Sequence, residues 1–574
     1  MAETDLIQSD REFPRQCVAP DAVFDNWPAA EKYYKELAER PITSVEQLEK
    51  WLIDFSEVDA VFDEVRVDRQ IEMTRATDDA ERERRYLDYI ENVFPHREPW
   101  HERLRQKFLA AARKFPLPKI RYEVLERSIS NAVEIFREEN IPLMVENAKL
   151  SQRYQKITGA MSVTYNGEEI TLQQLARYLE EPDRQVRQET WRLGADRFLQ
   201  DARPLDELYD EMVKLRHNMA LNAGCEDYRE FAFKAMERFD YTPEDCLAFH
   251  DAIEKVVCPA VKRFAKQRKN KLGVDALRPW DMQVDPYNRP PLRPFETAEQ
   301  LIDGCGKIFN KVDPELGDVF DVLRKRDMLD LESRKGKAPG GYQETYPERR
   351  LPFIFMNAVG TESDVRTLLH EGGHAFHTWA CRNDPLDAYR NYPIEFAEVA
   401  SMGMEMLSLP YIDEFYGSET NRARKSFLEG VVRFFPYMAC VDALQHWVYT
   451  NVEATPEQRN DEWTRLTRRF MSHLDWTGLE HYYPRAWHRK LHLFEVPFYY
   501  VEYGIAQLGA LQVWMNARQD RRQATALYRN GLALGGSRPL PELFEAAGLK
   551  FDFTERTMKP LISAVMEEIE RLEP

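Results

Sequence analysis

The sequence predicts a mainly α-helical fold that carries a small β-sheet beside one buried helix. Apolar residues recur at helical spacing among charged residues over about 29–160, for example in Tyr86–Phe94 and Val124–Phe136. The clearest strand patterns are two short runs, at about 341–346 and 351–356. An apolar content of 43% is ample for a buried core.

Breaks in the helical pattern divide the chain into three predicted regions. Residues 1–160 form an N-terminal helical region, and 161–290 form a helical region with a short hairpin, whose turn is Tyr165–Glu168. The proline-rich loop Asp285–Pro294 ends that region. Residues 291–574 form a catalytic region that contains the motif described below. The regions can still form one continuous body, and the sequence has no internal repeat.

The chain is acidic, since 79 Lys and Arg residues stand against 98 Asp and Glu residues and give a net charge of −19. That balance provides no electrostatic basis for binding nucleic acid or an anionic membrane surface. The sequence contains no run of about 20 apolar residues, so we expect no membrane-spanning segment. The charge therefore predicts neither a nucleic-acid partner nor a membrane partner, and it does not indicate an oligomeric state.

The N-terminus and the cysteines predict a cytoplasmic location. Met1–Glu12 lacks a basic start followed by an apolar stretch, so no signal peptide is expected. The cysteines are odd in number, include no Cys-x-x-Cys pair and fit reduced thiols. The seven cysteines are Cys17, Cys225, Cys246, Cys258, Cys305, Cys381 and Cys440.

The motif His370-Glu-Gly-Gly-His374 is the most informative feature of the sequence. Positions i and i+4 lie on one face of a helix, so both imidazoles can reach one metal ion. Glu371 lies beside that site and can act as a general base on a water that the metal activates. His-Glu-x-x-His is the zincin signature, and it predicts Zn²⁺ as the cofactor. The competing interpretation is a surface helix with two incidental histidines.

The residues around the motif predict a buried helix that follows a strand. A turn ends the strand 351–356, and Thr361 or Ser363 can then cap the helix. Gly372 and Gly373 each cost about 1 kcal/mol relative to alanine in a helix interior, so stability does not explain them. Close approach of another backbone or of a substrate would explain them. We expect the strand 351–356 to pair with an extended substrate.

A third metal ligand must come from a second helix, and Pro393–Glu405 offers three carboxylates. We expect Glu395 to lie on a solvated acidic face. Glu398 and Glu405 lie two turns apart on one face, among apolar neighbours that indicate burial. A buried carboxylate must be paired or bound to a metal. We therefore assign Glu398 to the zinc, and Glu405 to a hydrogen bond that orients a ligand histidine.

The string Thr367–His377, followed by Phe396-Ala-Glu-Val-Ala-Ser401, resembles the thimet oligopeptidase and oligoendopeptidase F family of zinc metallopeptidases. That family carries His-Glu-x-Gly-His-x-x-His and a ligand glutamate about 25 residues later. The resemblance extends over about 150–510 and implies two helical halves around a deep substrate channel, which admits short peptides and excludes folded proteins. Three further segments are similar to the family: Val163–Arg187, Arg216–Tyr228 and Trp280-Asp281.

One glycine-containing segment and one more histidine lie close to the motif in the sequence. Lys337–Tyr342 is similar to the family's segment before the strand, and the resemblance implies that Gly340 and Gly341 bind substrate. His377 lies one turn beyond His374. We expect it to pack near the ligands rather than to bind the ion.

The segment His492–Tyr503 resembles the family's loop rich in histidine and tyrosine. In the family a tyrosine hydroxyl and a histidine hydrogen-bond the oxyanion and the substrate backbone, which implies this role for His492 and one tyrosine. The spacing departs from the family pattern, and we expect Tyr503 to face the oxyanion, with Tyr499 next and Tyr500 last. The competing interpretation is an aromatic helix in the core.

The residues and the resemblance together predict a zinc-dependent oligopeptidase that cleaves internal bonds of short peptides. Three alternatives stay open. A metallocarboxypeptidase needs a basic residue for the free carboxylate of its substrate. An aminopeptidase needs carboxylates for the free amine, and Glu395 or Glu502 could provide them. A helical scaffold without catalysis would bind no zinc.

Overall fold

The computed structural model describes residues 12–334, 336–338 and 340–572. The absence of a signal peptide was predicted from Met1–Glu12. Nearly all of that segment lies outside the described residues. The described chain is mainly α-helical with two small sheets, which confirms the predicted fold class. No helix among the described residues is both long and apolar enough to cross a membrane. All seven cysteines are described, and none takes part in a disulfide.

The helices and strands are numbered in chain order. The α-helices are α1 (Trp27–Glu39), α2 (Val45–Arg75), α3 (Ala80–Asn92), α4 (Phe94–Lys114), α5 (Lys119–Ile135), α6 (Asn140–Gly159), α7 (Leu172–Ala176), α8 (Arg184–Gln200), α9 (Ala202–Asn222), α10 (Tyr228–Ala235), α11 (Pro243–Leu272), α12 (Ala298–Val312), α13 (Pro314–Lys325), α14 (Glu362–Cys381), α15 (Asp387–Arg390), α16 (Ile394–Ser408), α17 (Asp413–Tyr416), α18 (Thr420–Thr450), α19 (Pro456–Phe470), α20 (Leu491–Glu495), α21 (Tyr500–Gln519), α22 (Arg521–Ala533), α23 (Leu540–Ala546) and α24 (Glu555–Arg571). The strands are β1 (Ser162–Tyr165), β2 (Glu168–Thr171), β3 (Leu329–Glu332), β4 (Tyr342–Tyr346) and β5 (Leu351–Ala358). Short 3₁₀ helices span Arg177–Glu180, Pro279–Asp281, Leu409–Tyr411, Gly417–Glu419 and Tyr483–Arg489.

The chain forms two compact units, each built from separate stretches of sequence. The first unit comprises the described residues up to Phe136, Arg293–Thr420 and Ala506–Phe551. The second comprises Arg137–Leu292, Asn421–Ile505 and the described residues from Asp552 on. The three predicted regions, with boundaries at 160 and 290, are instead continuous stretches of sequence. That division stays a prediction.

The first unit buries an aromatic core among its N-terminal helices. Tyr34, Trp51, Phe62 and Phe108 are fully buried, and they lie on α1, α2 and α4. The indole nitrogen of Trp51 donates to the Leu37 carbonyl at 2.9 Å, so its polar atom is satisfied inside the core. Large aromatic side chains of this kind contribute most of the buried apolar area of a helical layer.

A three-stranded sheet in the first unit lies against α14, with the strand order β3-β5-β4. Both predicted strands near the motif are present. The prediction that 351–356 pairs with a substrate is wrong, because β5 is the central strand, parallel to β3 and antiparallel to β4. Within the described residues β4 pairs only with β5, so Tyr342–Tyr346 is an edge strand.

The second unit contains the predicted hairpin and a buried ionic cluster. β1 and β2 pair antiparallel around Asn166-Gly167, both at positive φ, as expected for a tight hairpin turn. The Arg187 side chain is 2% exposed and donates to the Trp280 carbonyl at 3.0 Å and to Asp281 at 3.2 Å. Two segments that resemble the metallopeptidase family therefore meet in one cluster.

Candidate active site and metal centre

Helix α14, which carries the His-Glu-Gly-Gly-His motif, is fixed at its start by a capping box. Of the two predicted caps, Thr361 is the one used: its hydroxyl accepts a hydrogen bond from the Asp364 backbone N–H. The Asp364 carboxylate in turn accepts one from the Thr361 backbone N–H, at 2.8 Å. Two of the four backbone amides that lack a helical partner at the helix start are thus satisfied. The capping box therefore fixes the residue at which α14 begins.

Close approach of two helices explains the glycines of the motif only in part. A Cβ atom added at Gly373 would lie 2.5 Å from the Ala400 carbonyl oxygen and 2.6 Å from the Ser401 Cα on α16. Gly373 therefore permits the predicted approach of another backbone. A Cβ atom at Gly372 would instead lie 2.5 Å from the ring of Phe309. That glycine makes room for a side chain of α12.

His370, His374 and Glu398 come together in one cluster within the first unit. The Nε2 atoms of His370 and His374 lie 3.3 Å and 3.8 Å from Glu398 Oε2. One donor atom from each residue lies within 4.8 Å of the other two. The two histidine side chains are 21% and 15% exposed, whereas Glu398 is 4% exposed. The cluster thus combines a buried carboxylate with imidazoles that solvent can reach.

Glu405 holds the orientation of the His370 ring through a contact with its Nδ1 atom. Its Oε1 atom lies 2.6 Å from His370 Nδ1, and its Oε2 atom accepts a hydrogen bond from Arg366 Nε at 2.6 Å. Because this contact occupies Nδ1, the Nε2 atom of His370 is directed toward Glu398. Burial lowers the pKa of His370, but the hydrogen bonds with Glu398 and Glu405 outweigh it and raise the pKa well above its usual value.

Hydrogen bonds also hold the other two members of the cluster. The His374 ring bonds to the Ala397 backbone, and Ser401 Oγ donates to Glu398 Oε2 at 3.0 Å. Burial lowers the pKa of His374 to about 4. Burial alone would raise the pKa of Glu398, but the hydrogen bond with His370 and the nearby His374 lower it to about 2. A neutral His374 and an ionised Glu398 are forms that bind metals, whereas His370 would have to release its proton to bind one.

Glu371 lies beside this cluster in a buried position, with 7% of its surface exposed. Burial raises the pKa of Glu371 to about 7, aided by the charges of Glu398 and Glu405 and opposed by His370. The carboxyl accepts a hydrogen bond from the backbone of Gln343 on the edge strand β4. A carboxyl with a pKa near neutrality can both accept and return a proton.

The candidate oxyanion residues form a separate cluster in the second unit. The His492 ring lies between 5.1 and 5.9 Å from the rings of Tyr499, Tyr500 and Tyr503. Tyr500 is 5% exposed, and burial raises its pKa well above the usual value. Lys490 Nζ lies 4.1 Å from the centre of its ring. Tyr499 and Tyr503 are only partly buried, so a ligand can reach them more easily.

A comparison with known protein families agrees with this geometry. The model of peptidase family M3 matches residues 177–561, more than half of the chain. The chain belongs to peptidase family M3. This family consists of metalloendopeptidases, so the protein is an enzyme of the hydrolase class. The resemblance drawn from the motif is thereby confirmed.

Individual relatives of this M3 peptidase are distant. A Borreliella burgdorferi protein described as an oligoendopeptidase F homolog is 20% identical over 458 residues, which cover 73% of this chain and 72% of that protein. Oligopeptidase PepF of Bacillus subtilis is 21% identical over 410 residues, which cover 67% of this chain and 57% of that protein. The match thus spans roughly half to three quarters of these relatives.

The fold is closely similar to that of a solved peptidase. The structure of PZ peptidase A with an inhibitor has a TM-score of 0.89 and 24% sequence identity, and the match covers 98% of each chain. At 24% identity, this similarity is evidence for a shared fold. It extends across the N-terminal residues that the family model does not match.

His377, the third histidine on α14 of this M3 peptidase, occupies a packed position. It is fully buried and stacks on Tyr392 with 3.4 Å between ring centroids. Neither ring nitrogen has a hydrogen-bond partner in the described part of the chain. Burial lowers the pKa of His377 well below the usual value. These contacts are typical of a packing residue.

The expectation that Glu395 lies on a solvated face is wrong, because its side chain is 4% exposed. Nearly every residue of α16 is buried, so this helix has no solvated face. Glu395 lies in the first turn, where the helix dipole favours a negative charge. The sequence pattern of α16 did not reveal that its polar side also packs against protein.

Gly340 and Gly341, the predicted substrate-binding glycines, lie just before β4. Gly340 has a φ of +95°, which favours glycine, and its carbonyl accepts a hydrogen bond from Asn357 at 2.9 Å. A Cβ atom on Gly341 would lie 3.3 Å from the Phe355 carbonyl oxygen. Backbone geometry accounts for both glycines, and their contact with substrate stays a prediction.

Two residues that contact the candidate ligands were not predicted from the sequence. Arg366 bonds to Glu405, and Ser401 bonds to Glu398. Arg366 lies one turn before His370 on α14, and Ser401 lies one turn after Glu398 on α16. Their helical spacing from a ligand was the signal that could have identified them.

Proposed function

We propose that this M3 peptidase is a zinc-dependent oligoendopeptidase that hydrolyses internal bonds of short, unfolded peptides. The observation that carries the proposal is the cluster of His370, His374 and Glu398, with Glu371 beside it. Two imidazoles and one carboxylate are a ligand set of hydrolytic zinc sites, which keep a fourth position open. The donor atoms lie within 4.8 Å of one another, so the residues fit one ion.

In the proposed hydrolysis, the zinc ion and the side chains of the protein have different tasks. Zinc bound to these residues supplies a Lewis acid that polarises the scissile carbonyl and lowers the pKa of water. Glu371 takes a proton from the attacking water and delivers it to the nitrogen of the leaving amine. Glu405 and Arg366 hold His370 in the orientation that keeps Nε2 for the metal.

The edge strand β4 is the proposed guide for the substrate. It pairs on one side only within the described residues, and the backbone of Gln343 contacts Glu371. A peptide that adds to β4 as a further strand would therefore pass close to the general base. Pairing through the backbone accepts many sequences but requires an extended chain, which excludes folded proteins.

We assign the oxyanion hydrogen bond to Tyr503, with Tyr499 as the next choice, and a substrate contact to His492. Partial burial of Tyr499 and Tyr503 supports a role for one of these two, and the burial of Tyr500 argues against that residue. The resemblance to the oligoendopeptidase F family supports a deep substrate channel. It also supports a cytoplasmic enzyme that acts on short peptides.

The proposal is tested with three internally quenched peptides of one sequence. The first is blocked at both ends, the second has a free amine and the third has a free carboxylate. An endopeptidase cleaves all three at the same internal bond, as mass spectrometry of the products would show. Cleavage confined to the second peptide indicates an aminopeptidase, and cleavage confined to the third indicates a carboxypeptidase. Absence of cleavage by the zinc-loaded protein in all three would contradict the proposal.

A further inference from the structure

A second group of metal-ligating side chains lies in the second compact unit. Cys246 and His250 stand four residues apart on α11, and Asp442 and His446 stand four residues apart on α18. Each pair therefore shares one face of its helix. All four residues are buried, with 3% exposure or less. The active-site chemistry described above uses none of them.

The distances within this group suit a single metal ion. One donor atom each of Cys246, Asp442 and His446 lies within 4.8 Å of the other two. His446 Nε2 lies 3.4 Å from Asp442 Oδ2. Donor atoms that bind one zinc at about 2.0–2.3 Å in a tetrahedron are about 3–4 Å apart. His250 Nε2 lies 2.8 Å from the same carboxylate oxygen, which is a hydrogen-bond distance.

The protein alone leaves part of this group unsatisfied. His446 Nε2 has only the long 3.4 Å contact with Asp442, and Nδ1 has no hydrogen-bond partner among the described residues, although His446 is only 3% exposed. Such a buried polar atom usually has a partner, and leaving it without one costs stability. The rings of Phe233 and Phe498 lie 6.2 Å and 5.3 Å from that of His446. These apolar neighbours offer no hydrogen bond to the imidazole.

We infer that Cys246, Asp442 and His446 bind a second zinc ion, and that His250 holds the Asp442 carboxylate in place. A thiolate, a carboxylate and an imidazole are all zinc ligands. The two negative charges of Cys246 and Asp442 balance the charge of Zn²⁺, so the buried site carries no net charge. Binding breaks the S–H bond of Cys246, forms an S–Zn bond and releases the proton to solvent.

This second ion would have a structural role near the predicted oxyanion segment. Gln445, next to His446, accepts a hydrogen bond from the Phe498 backbone N–H at 2.6 Å. Phe498 has a φ of +69°, a left-handed conformation that a bulky side chain rarely adopts. It directly precedes Tyr499. An ion that fixes α18 against α11 would therefore also stabilise the start of the segment Tyr499–Tyr503.

The test separates the two sites by their metal content. Zinc per chain is measured by inductively coupled plasma mass spectrometry after gel filtration of zinc-loaded protein. We expect two ions in the wild type, one in His374→Ala, one in Cys246→Ser and none in the double variant. Cys258→Ser, at another buried position of α11, is the matched control and keeps both ions. In the His374→Ala background, His250→Ala should weaken the remaining site about 10–100-fold.

A spectroscopic measurement identifies the ligand. When cobalt(II) replaces zinc in His374→Ala, a thiolate-to-cobalt charge-transfer band is expected, and Cys246→Ser should remove it. If Cys246→Ser does not fold, the zinc content and cobalt spectrum of His374→Ala alone decide the question. A His374→Ala protein without bound metal would overturn the inference. So would metal in that protein that persists unchanged when Cys246 is replaced.

Discussion

The two histidine and carboxylate clusters of this chain share one spacing but differ in access. His370 and His374, like Asp442 and His446, lie four residues apart on a helix, and each group includes a buried carboxylate. The imidazoles of the first cluster are 15–21% exposed, whereas the side chains of the second are at most 4% exposed. The spacing of four residues indicates that each cluster can bind a metal. Because a substrate can reach only an exposed site, the exposure of the side chains indicates which cluster can take part in catalysis.

The neighbours of each cluster differ as well. Glu371, a carboxyl with a pKa of about 7, adjoins the exposed cluster and contacts an edge strand. The buried cluster instead has the aromatic rings of Phe233 and Phe498 near His446. The first cluster is thus accompanied by a candidate proton acceptor and by an edge strand to which an extended peptide could add. We therefore propose a catalytic role for the first cluster and a structural role for the second.

The largest effect is expected from His374→Ala, which removes a ligand of the exposed cluster. Peptide cleavage should fall to background, because the enzyme then loses the metal on which a rate acceleration of about 10⁶ or more depends. Rates are measured with the doubly blocked peptide. His377→Phe is the matched control on the same helix, since it keeps a ring on Tyr392, and it should retain activity. Unchanged cleavage by His374→Ala would remove the distinction between the clusters.

Glu371→Gln sharpens the comparison by separating binding from chemistry. The variant should keep its zinc and lose about 10²–10⁴-fold in kcat, since an amide cannot accept the proton from water. Glu395→Gln, another buried glutamate in the same unit, should change kcat little. If Glu371→Gln retained more than about a tenth of the activity, Glu371 would not be the general base. Loss of metal from this variant would indicate a structural role instead.

Tyr503→Phe tests whether the second unit also contributes to catalysis. A hydroxyl that donates to the developing oxyanion acts in the transition state, so kcat should fall about 10²–10³-fold with little change in KM. The same substitution at Tyr500, which is buried, should lower the melting temperature and leave kcat nearly intact. A selective loss of kcat in Tyr499→Phe would instead move the assignment to that residue.

The smallest effect concerns the packing that positions the exposed cluster. Gly373→Ala should reduce the free energy of unfolding by about 1–3 kcal/mol, because the new methyl group meets the backbone of α16. Gly306→Ala, on α12 in the same unit, adds a methyl group at an ordinary 3.6 Å contact with Phe320. That control should be neutral or stabilise by up to about 1 kcal/mol. Denaturant titration of both variants checks the difference, and equal effects would contradict the close helix contact.

The sequence predicted those features that depend on local spacing. The helix after Thr361, the hairpin at Asn166-Gly167 and the strands beside the motif are present, because caps, turns and strand patterns are local. The approach of another backbone at Gly373 was one of the two explanations predicted for the glycines, since stability does not explain a glycine in a helix interior.

Other features depend on partners distant in sequence, and these were missed or wrong. Whether 351–356 is a central or an edge strand depends on β3, which precedes β4 in the chain and pairs parallel to β5. The burial of Glu395 depends on the helices packed around α16. The cluster of Cys246 with His446 joins residues 200 positions apart in sequence. No local pattern indicates such a pairing.

Removal and return of zinc test the central claim most directly. The enzyme is treated with a chelator until it no longer cleaves the doubly blocked peptide, and zinc is then added back in measured amounts. We predict that cleavage returns in proportion to the zinc bound and is complete when one ion per chain has been restored to the exposed cluster. Glu371→Gln, treated in the same way, should take up the same zinc without regaining cleavage. Full cleavage by the zinc-free enzyme, or equal recovery by Glu371→Gln, would contradict the account.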